Sequence, residues 1–116
     1  MRFWIVLWLA FSFLPHAMAQ RATPALPEVA AAQLPPEARE TLRIIRKGGP
    51  FPYDRDGIVF GNFEKHLPMR ERGYYHEYTV PTPGSRSRGA RRIIAGRGGE
   101  FFYTDDHYNS FKRIKE

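Results

Sequence analysis

Apolar positions in the first half of the chain follow a helical spacing that stops at a run of glycines. Four of them fall on one stripe of a helix: Leu34, Ala38, Leu42 and Ile45. The prolines at positions 35 and 36 suit a first helical turn, where a missing N–H costs nothing. The GGP that follows Lys47 ends the helix. The pattern predicts one amphipathic helix over residues 35–47.

Beyond residue 50 the pattern changes to the period of two that is typical of strands. Five segments are rich in β-branched and aromatic residues: IVF at 58–60, GYYHEYTV at 73–80, ARRIIAG at 90–96, EFFYT at 100–104 and YNSFKRI at 108–114. Turn-forming Gly, Pro, Ser and Asp separate them. The order predicts an α+β fold, with one N-terminal helix packed on a small antiparallel β-sheet.

The N-terminal part of the chain does not follow either pattern. The apolar run FWIVLWLAFSFL at 3–14 is short for a membrane span, and Ala17-Met18-Ala19 is a small-x-small cleavage pattern. We therefore predict a secretory signal peptide over residues 1–19; the alternative is an uncleaved membrane anchor. Residues 20–33 are rich in Ala and Pro and are predicted to be a flexible leader. Residues 34–116 are predicted to form one domain.

The charge of the chain narrows the class of partner. Lys and Arg number 18 against 12 Asp and Glu, a formal net charge of +6, and there is no cysteine. A basic exported protein favours polyanions, which include nucleic acid, anionic surfaces and acidic proteins, and charge alone does not choose among them. Without disulfides, the packing of helix and sheet has to hold the domain together.

The segment YHEYTV places two polar residues side by side in a predicted strand. Side chains alternate across a strand, so His76 and Glu77 point to opposite faces. A lone Glu is most often solvated. The arginine-rich GSRSRGARRII that follows makes a phosphate clamp an alternative to a solvated edge, because guanidinium groups bind phosphate bidentately. Either Arg91 or Arg92 could share a face with Glu77.

A histidine in the segment TDDHYNS supplies a candidate acid. His107 lies at a turn after a predicted strand, where functional side chains are often displayed, whereas His66 and His76 are read as ordinary surface or core residues. Asp105, Asp106 and His107 are adjacent in sequence and cannot easily surround one ion, so no metal site is predicted. A base, an acid and a phosphate clamp fit cleavage of RNA through its own 2′-hydroxyl.

Three segments in order, GYYHEYTV, RGARRI and DHY, make the chain resemble the secreted guanyl-specific ribonucleases of bacteria, the barnase-like microbial ribonuclease family. The resemblance extends from about Leu34 to Ile114 and implies the fold of that family. It also implies endonucleolytic cleavage of single-stranded RNA after guanosine through a 2′,3′-cyclic phosphate. It implies no metal and no cofactor.

The resemblance also assigns the site residues. It implies Glu77 as general base, His107 as general acid, Arg88 and Arg92 as phosphate-binding residues and Tyr108 as a substrate contact. The loop GNFEKH implies guanine recognition by Asn62, by the backbone around Phe63 and by the carboxylate of Glu64. Phe63 stands where many members of the family carry arginine, and Gly61 where some carry a polar side chain; backbone contacts to the base survive either change.

Two further expectations follow from charge and resemblance together. The producing cell is expected to contain an acidic inhibitor of barstar type, and the enzyme is expected to be a monomer, secreted or periplasmic, with no membrane attachment once the signal peptide is removed. The rival interpretation is a cationic protein that binds RNA or an anionic surface through its Arg86–Arg92 segment without cleaving it.

Overall fold

The structure, a computed structural model, describes residues 25–116. Its elements in chain order are β1 (Glu28–Ala30), a short 3-10 helix (Ala31–Gln33), α1 (Pro36–Lys47), β2 (Ile58–Val59), β3 (Tyr75–Thr79), β4 (Arg92–Gly96), β5 (Phe101–Thr104) and β6 (Lys112–Lys115). The predicted signal peptide lies outside the described residues. No helix within 25–116 is long and apolar enough to cross a membrane.

The single helix has the ends that the sequence predicts. Pro36 occupies its first turn, and Gly48 ends it in the left-handed conformation with φ +86°. The Gly48 N–H is donated to the carbonyl oxygens of Ile44 and Ile45. Its buried face packs on the sheet, where the Thr41 hydroxyl also donates to the Thr79 carbonyl at 3.3 Å.

Six strands form one sheet in the order β1-β6-β5-β4-β3-β2. All neighbouring strands from β2 to β6 are antiparallel, whereas β1 pairs with β6 in parallel. The α+β prediction of one helix on an antiparallel sheet is therefore confirmed. The last strand is shorter than predicted, because it begins at Lys112 rather than at residue 108.

The prediction of a flexible leader is wrong for residues 28–33. Strand β1 pairs Glu28, Val29 and Ala30 with three residues of β6, and the Arg113 N–H is donated to the Pro27 carbonyl at 2.8 Å. Val29 packs against the core. A strand of three residues carries too short an alternation to be recognised, and Ala and Pro are poor strand formers.

The sheet separates two hydrophobic clusters. The helix-side cluster consists of Leu34, Ala38, Leu42, Val80, Ile93, Tyr103 and Ile114. The site-side cluster consists of Leu67, Tyr75, Ile94, Phe102 and Phe111. Strand alternation sends Tyr75, Glu77 and Thr79 to the buried face of β3 that carries the site-side cluster. The carboxylate of Glu77 thereby becomes a buried charged group on the face that carries the site-side cluster.

Candidate active site

An open cavity of about 680 Å³ lies on the face of the sheet opposite α1. Seven of the eight residues that the resemblance assigns to substrate line it: Asn62, Phe63, Glu64, Glu77, Arg88, His107 and Tyr108. These residues come from β3 and from three separate loops. The eighth, Arg92, lies beneath the cavity wall with a relative exposure of 2% and reaches Glu77 from behind.

Glu77 is held at the cavity wall by two partners. The Tyr108 hydroxyl donates to its Oε1 at 2.5 Å, and Arg92 Nε lies 3.7 Å from the same oxygen. Burial, and then the bond to Glu77, raises the pKa of the Tyr108 phenol, so this hydroxyl remains a donor at neutral pH. The carboxylate therefore has one neutral donor and one fixed cation behind it.

Arg92 rather than Arg91 is the arginine that shares a face with Glu77. In the register of β3 and β4, Glu77 lies opposite Ile94, and Arg92 lies two residues before Ile94 on the same face. The Arg92 guanidinium donates to the Tyr108 hydroxyl at 2.9 Å and to the carbonyls of Gly89 and Arg91. Arg91 points away and pairs with Glu37 of α1.

His107 is displayed by a strained turn between β5 and β6. It has φ +58° and Tyr108 has φ +73°, conformations that are uncommon for residues other than glycine and that concentrate at functional sites. The His107 N–H is donated to the Ala90 carbonyl at 3.0 Å, and the imidazole of this exposed residue stacks edge-on against the Tyr108 ring. The ring is thus placed at the cavity while remaining in contact with water.

Asp106 holds that turn together. Its carboxylate accepts bonds from the Ser110 hydroxyl at 2.5 Å, the Ser110 N–H at 2.9 Å and the Thr104 hydroxyl at 2.8 Å. These bonds, led by the one from the Ser110 hydroxyl, lower the pKa of Asp106 to about 2. The Thr104 hydroxyl in turn accepts the Tyr108 N–H at 3.1 Å.

The loop after β2 forms the other end of the cavity. The Asn62 side chain donates to the Leu67 carbonyl at 3.0 Å and accepts the Leu67 N–H at 3.1 Å, so this amide shapes the loop and is not free to bind a base. Phe63 is 83% exposed, and a Cβ at Gly61 would lie only 2.6 Å from its ring. Gly61 therefore leaves the space that the Phe63 ring occupies.

Glu64 remains accessible at the same end. Its side chain is 69% exposed and lies 3.3 Å from His66 Nε2. His66 also lines the cavity, as a partly exposed residue at its surface. His76, on the opposite face of β3, does not line the cavity, as alternation predicts.

Sequence reasoning assigned no role to several lining residues. Phe60 stacks on Tyr108 with 5.4 Å between ring centroids and meets Phe111 edge-on, giving the cavity an aromatic floor. Arg55 lines the opposite end. The aromatic residues could have been found from their alternation in the strand pattern, but nothing in the sequence places Arg55 at the same cavity as Arg88. Within residues 25–116 no group of three or more His, Asp or Glu could hold a metal ion.

A small α+β domain with a carboxylate, an imidazole and two guanidiniums at one cavity has the architecture of the microbial ribonucleases. A family model described as ribonuclease matches residues 18–115. The chain is 59% identical over 85 residues to guanyl-specific ribonuclease St of Saccharopolyspora erythraea, covering 73% of this chain and 84% of that protein. It is 55% identical over 89 residues to guanyl-specific ribonuclease Sa of Kitasatospora aureofaciens, covering 76% and 93%.

Solved structures of ribonuclease Sa2 agree with these sequence matches. Its complexes with mononucleotides give a TM-score of 0.79 at 50% identity, covering 81% of this chain and 98% of that one. Its complex with guanosine-2′-cyclophosphate gives a TM-score of 0.76 at 49% identity, covering 78% and 97%. The chain belongs to the ribonuclease family, among the guanyl-specific microbial ribonucleases.

Proposed function

We propose that the protein is an endoribonuclease that cleaves single-stranded RNA after guanosine, by acid–base chemistry at Glu77 and His107. One observation carries the proposal: a carboxylate, an imidazole and a guanidinium line the same cavity as the loop that carries Glu64. The relatives named above are guanyl-specific ribonucleases. A cationic binder without catalysis needs no such convergence of acid and base.

The first step is an internal transesterification. The Glu77 carboxylate accepts the 2′-hydroxyl proton of the guanosine, and the 2′-oxygen forms a new bond to phosphorus. The bond to the 5′-oxygen of the next nucleotide breaks, and the His107 imidazolium gives that oxygen a proton. The product ends in guanosine 2′,3′-cyclic phosphate. Arg88 at the cavity and Arg92 beneath it stabilise the charge that develops on the phosphate oxygens.

The second step runs the proton transfers in the opposite sense. Neutral His107 accepts a proton from water, and the oxygen of that water forms a bond to phosphorus. The bond between phosphorus and the 2′-oxygen breaks, and protonated Glu77 returns its proton to the 2′-oxygen. The product is a 3′-phosphate. The left-handed turn at His107 and Tyr108 fixes the imidazole at the cavity in both steps, so the same two groups exchange roles between steps.

Guanine is selected by the loop of residues 61–64. The Glu64 carboxylate accepts the two adjacent N–H groups of the guanine Watson–Crick edge, and backbone N–H groups around Phe63 meet the O6 acceptor. Uracil, cytosine and adenine would leave that carboxylate without both donors, which disfavours them. The Asn62 side chain contributes by holding the loop through Leu67.

End-mapping of the fragments from a defined RNA in EDTA tests reaction type and base preference together. We expect cyclic phosphate ends after G that convert to 3′-phosphates. Glu77→Gln and His107→Gln should each reduce cleavage about 10²–10⁴-fold. His76→Gln is the matched control, because this neighbour of Glu77 lies on the other face of β3. Retained binding with no fragments from the wild-type protein would support the cationic binder instead.

The setting of the enzyme is a separate part of the proposal. The signal-peptide pattern of residues 1–19 supports a secreted or periplasmic enzyme, which we expect to be a monomer. A ribonuclease that endangers its producer favours an acidic intracellular inhibitor of barstar type. Pull-down from the producing cell, with light scattering of the purified protein, tests both. Recovery of no acidic partner would contradict the proposed inhibitor, and a dimer in solution would contradict the proposed monomer. Neither result would bear on the proposed cleavage mechanism.

A further inference from the structure

Thr79 is a buried polar residue that the proposed chemistry does not use. It lies two positions after Glu77 on the same face of β3 and is 1% exposed. Its hydroxyl accepts a hydrogen bond from Nη1 of Arg88 at 2.9 Å. Thr79 is not part of the cavity wall, whereas Arg88 is. The hydroxyl therefore contacts the guanidinium from within the protein rather than from the cavity.

The backbone of Thr79 is fixed by three neighbouring elements. Its N–H is donated to the Asp56 carboxylate at 2.7 Å, and its carbonyl accepts the Thr41 hydroxyl of α1 at 3.3 Å. In the antiparallel register of β3 and β4, Thr79 pairs with Arg92. A β-branched side chain also has few rotamers. The position of the hydroxyl is therefore defined by the sheet.

Arg88, in contrast, belongs to a segment without helix or strand. Residues 80–91 connect β3 to β4, and residues 83–87 within this segment are exposed. Among residues 25–116, Thr79 is the single hydrogen-bond partner of the Arg88 side chain, and no carboxylate pairs with it. The direction of this guanidinium therefore depends on Thr79.

The chemical type of the partner matters as well as its position. A hydroxyl carries no formal charge, so Arg88 keeps its positive charge for an anion in the cavity. A guanidinium has several N–H donors in a planar fork, and Thr79 accepts from one of its two terminal nitrogens. The donors that remain can pair bidentately with phosphate oxygens. Thr79 thus orients the guanidinium without neutralising it.

A second buried threonine holds the other functional loop in a similar way. Arg92 pairs with Thr79 on β3 and with Thr104 on β5, so the three residues form a row across the sheet. The Thr104 hydroxyl is also 1% exposed and accepts the Tyr108 N–H at 3.1 Å. Each threonine therefore bonds one loop of the cavity wall. This arrangement favours a positioning role over mere satisfaction of a buried hydroxyl, for which a backbone carbonyl would suffice.

We propose that Thr79 is a positioning residue for the cleavage reaction, because its hydroxyl directs the Arg88 guanidinium toward the phosphate that is cleaved. The inference rests on the proposed function. Thr79 acts only through Arg88 and touches no substrate. Misplacement of a group by about 1 Å can cost on the order of a hundredfold in rate, so a bond that fixes its direction has a measurable effect.

Thr79→Val and Thr79→Ala both remove the hydroxyl and test the proposal. On the dinucleotide GpU we expect kcat to fall about tenfold in each variant. KM should stay nearly unchanged, since Arg88 acts on charge that develops in the transition state and the loop of residues 61–64 is intact. Thr79→Ser keeps the hydroxyl and should retain kcat within about threefold of the wild-type value. Urea unfolding gives the folded fraction to which kcat is referred.

A double-mutant cycle with Arg88→Ala distinguishes positioning from a structural effect. If Thr79 acts through Arg88, Thr79→Val lowers kcat in the wild-type background but not in the Arg88→Ala background. A loss of about tenfold in both backgrounds would overturn the proposal, because the hydroxyl would then act independently of Arg88.

Thr41→Val is the matched control. It removes a hydroxyl that bonds the Thr79 carbonyl from the helix side, so it should lower the free energy of unfolding and leave kcat per folded molecule unchanged. Equal losses of kcat in Thr41→Val and Thr79→Val would overturn the proposal, because they would reflect general loosening around β3. Wild-type kcat in Thr79→Val would also overturn it. Failure of the wild-type protein to cleave GpU would instead refute the proposed function.

Discussion

The hydroxyl of Tyr108 shows how a single group can fix a reactive carboxylate. It donates to Glu77 and accepts from Arg92, so it spaces the cation from the anion and orients both. The sequence indicated Tyr108 as a neighbour of His107, but only the fold of the β5–β6 turn brings its ring over β3 and β4.

Tyr108→Phe tests this arrangement. We expect a loss of about 1–3 kcal/mol of unfolding free energy, because a buried charged pair loses its shared partner, together with a lower kcat/KM. Urea unfolding and dinucleotide cleavage measure the two effects. Tyr74→Phe is the control, since its hydroxyl bonds Glu100 at 2.8 Å outside the cavity; it should lose stability and keep kcat/KM. Unchanged kcat/KM in both variants would contradict the role given to Tyr108.

At the scale of elements, strand β1 is the part that the sequence pattern did not reveal. Helix α1 could be predicted nearly to the residue, because its stripe of apolar side chains and its end signals agree. Strand β1 could not, since its three residues gain their pairing only from β6, far away in sequence. The sequence also could not decide whether Arg91 or Arg92 shares a face with Glu77, because that depends on the register between β3 and β4.

Val29→Asp tests whether β1 contributes to the stability of the domain. Val29 is partly buried against the helix-side cluster, so a carboxylate there should lower the unfolding free energy by about 1–3 kcal/mol. Glu28→Gln, at an exposed neighbouring position of the same strand, should have little effect. Identical urea midpoints for the wild-type protein and Val29→Asp would show that residues 28–30 do not add to stability.

Asp106 should make the turn that carries His107 sensitive to acid. Its folded-state pKa of about 2 lies below its ordinary value of about 3.8. The stabilisation is therefore fully present above the ordinary value and is lost as the pH falls through about 2. Asp106→Asn should flatten the fall of unfolding free energy between about pH 4 and pH 2. Asp105→Asn, at the exposed neighbouring position, is the control. If the unfolding free energy of Asp106→Asn fell with pH as steeply as that of the wild-type protein, the low pKa given to Asp106 would be contradicted.

On the scale of the whole molecule, the sheet divides residues that maintain the fold from residues that also shape the cavity. The helix-side cluster has no member in the cavity wall, whereas Phe111 of the site-side cluster lines it. A chain without cysteine depends on both clusters for stability. The sequence predicted this dependence on packing but not which cluster would touch substrate.

Two core substitutions should distinguish the role of the helix-side cluster from that of the site-side cluster. Leu42→Ala should lower the unfolding free energy by about 2–5 kcal/mol, because it leaves a cavity under α1, while kcat/KM per folded molecule stays the same. Phe111→Leu should lose stability and also raise KM, because its ring contacts Phe60 on the cavity floor. Equal effects of both variants on KM would show that packing on the helix side of the sheet also affects substrate binding at the cavity.

The outward position of the Phe63 ring has a practical consequence. The two tryptophans of the chain are Trp4 and Trp8, both in the segment predicted to be removed on export. A protein that begins at Gln20 therefore has no indole, and Phe63→Trp would add a single fluorophore at the mouth of the cavity. Its emission would report nucleotide binding optically in catalytically silent Glu77→Gln protein, without a labelled ligand.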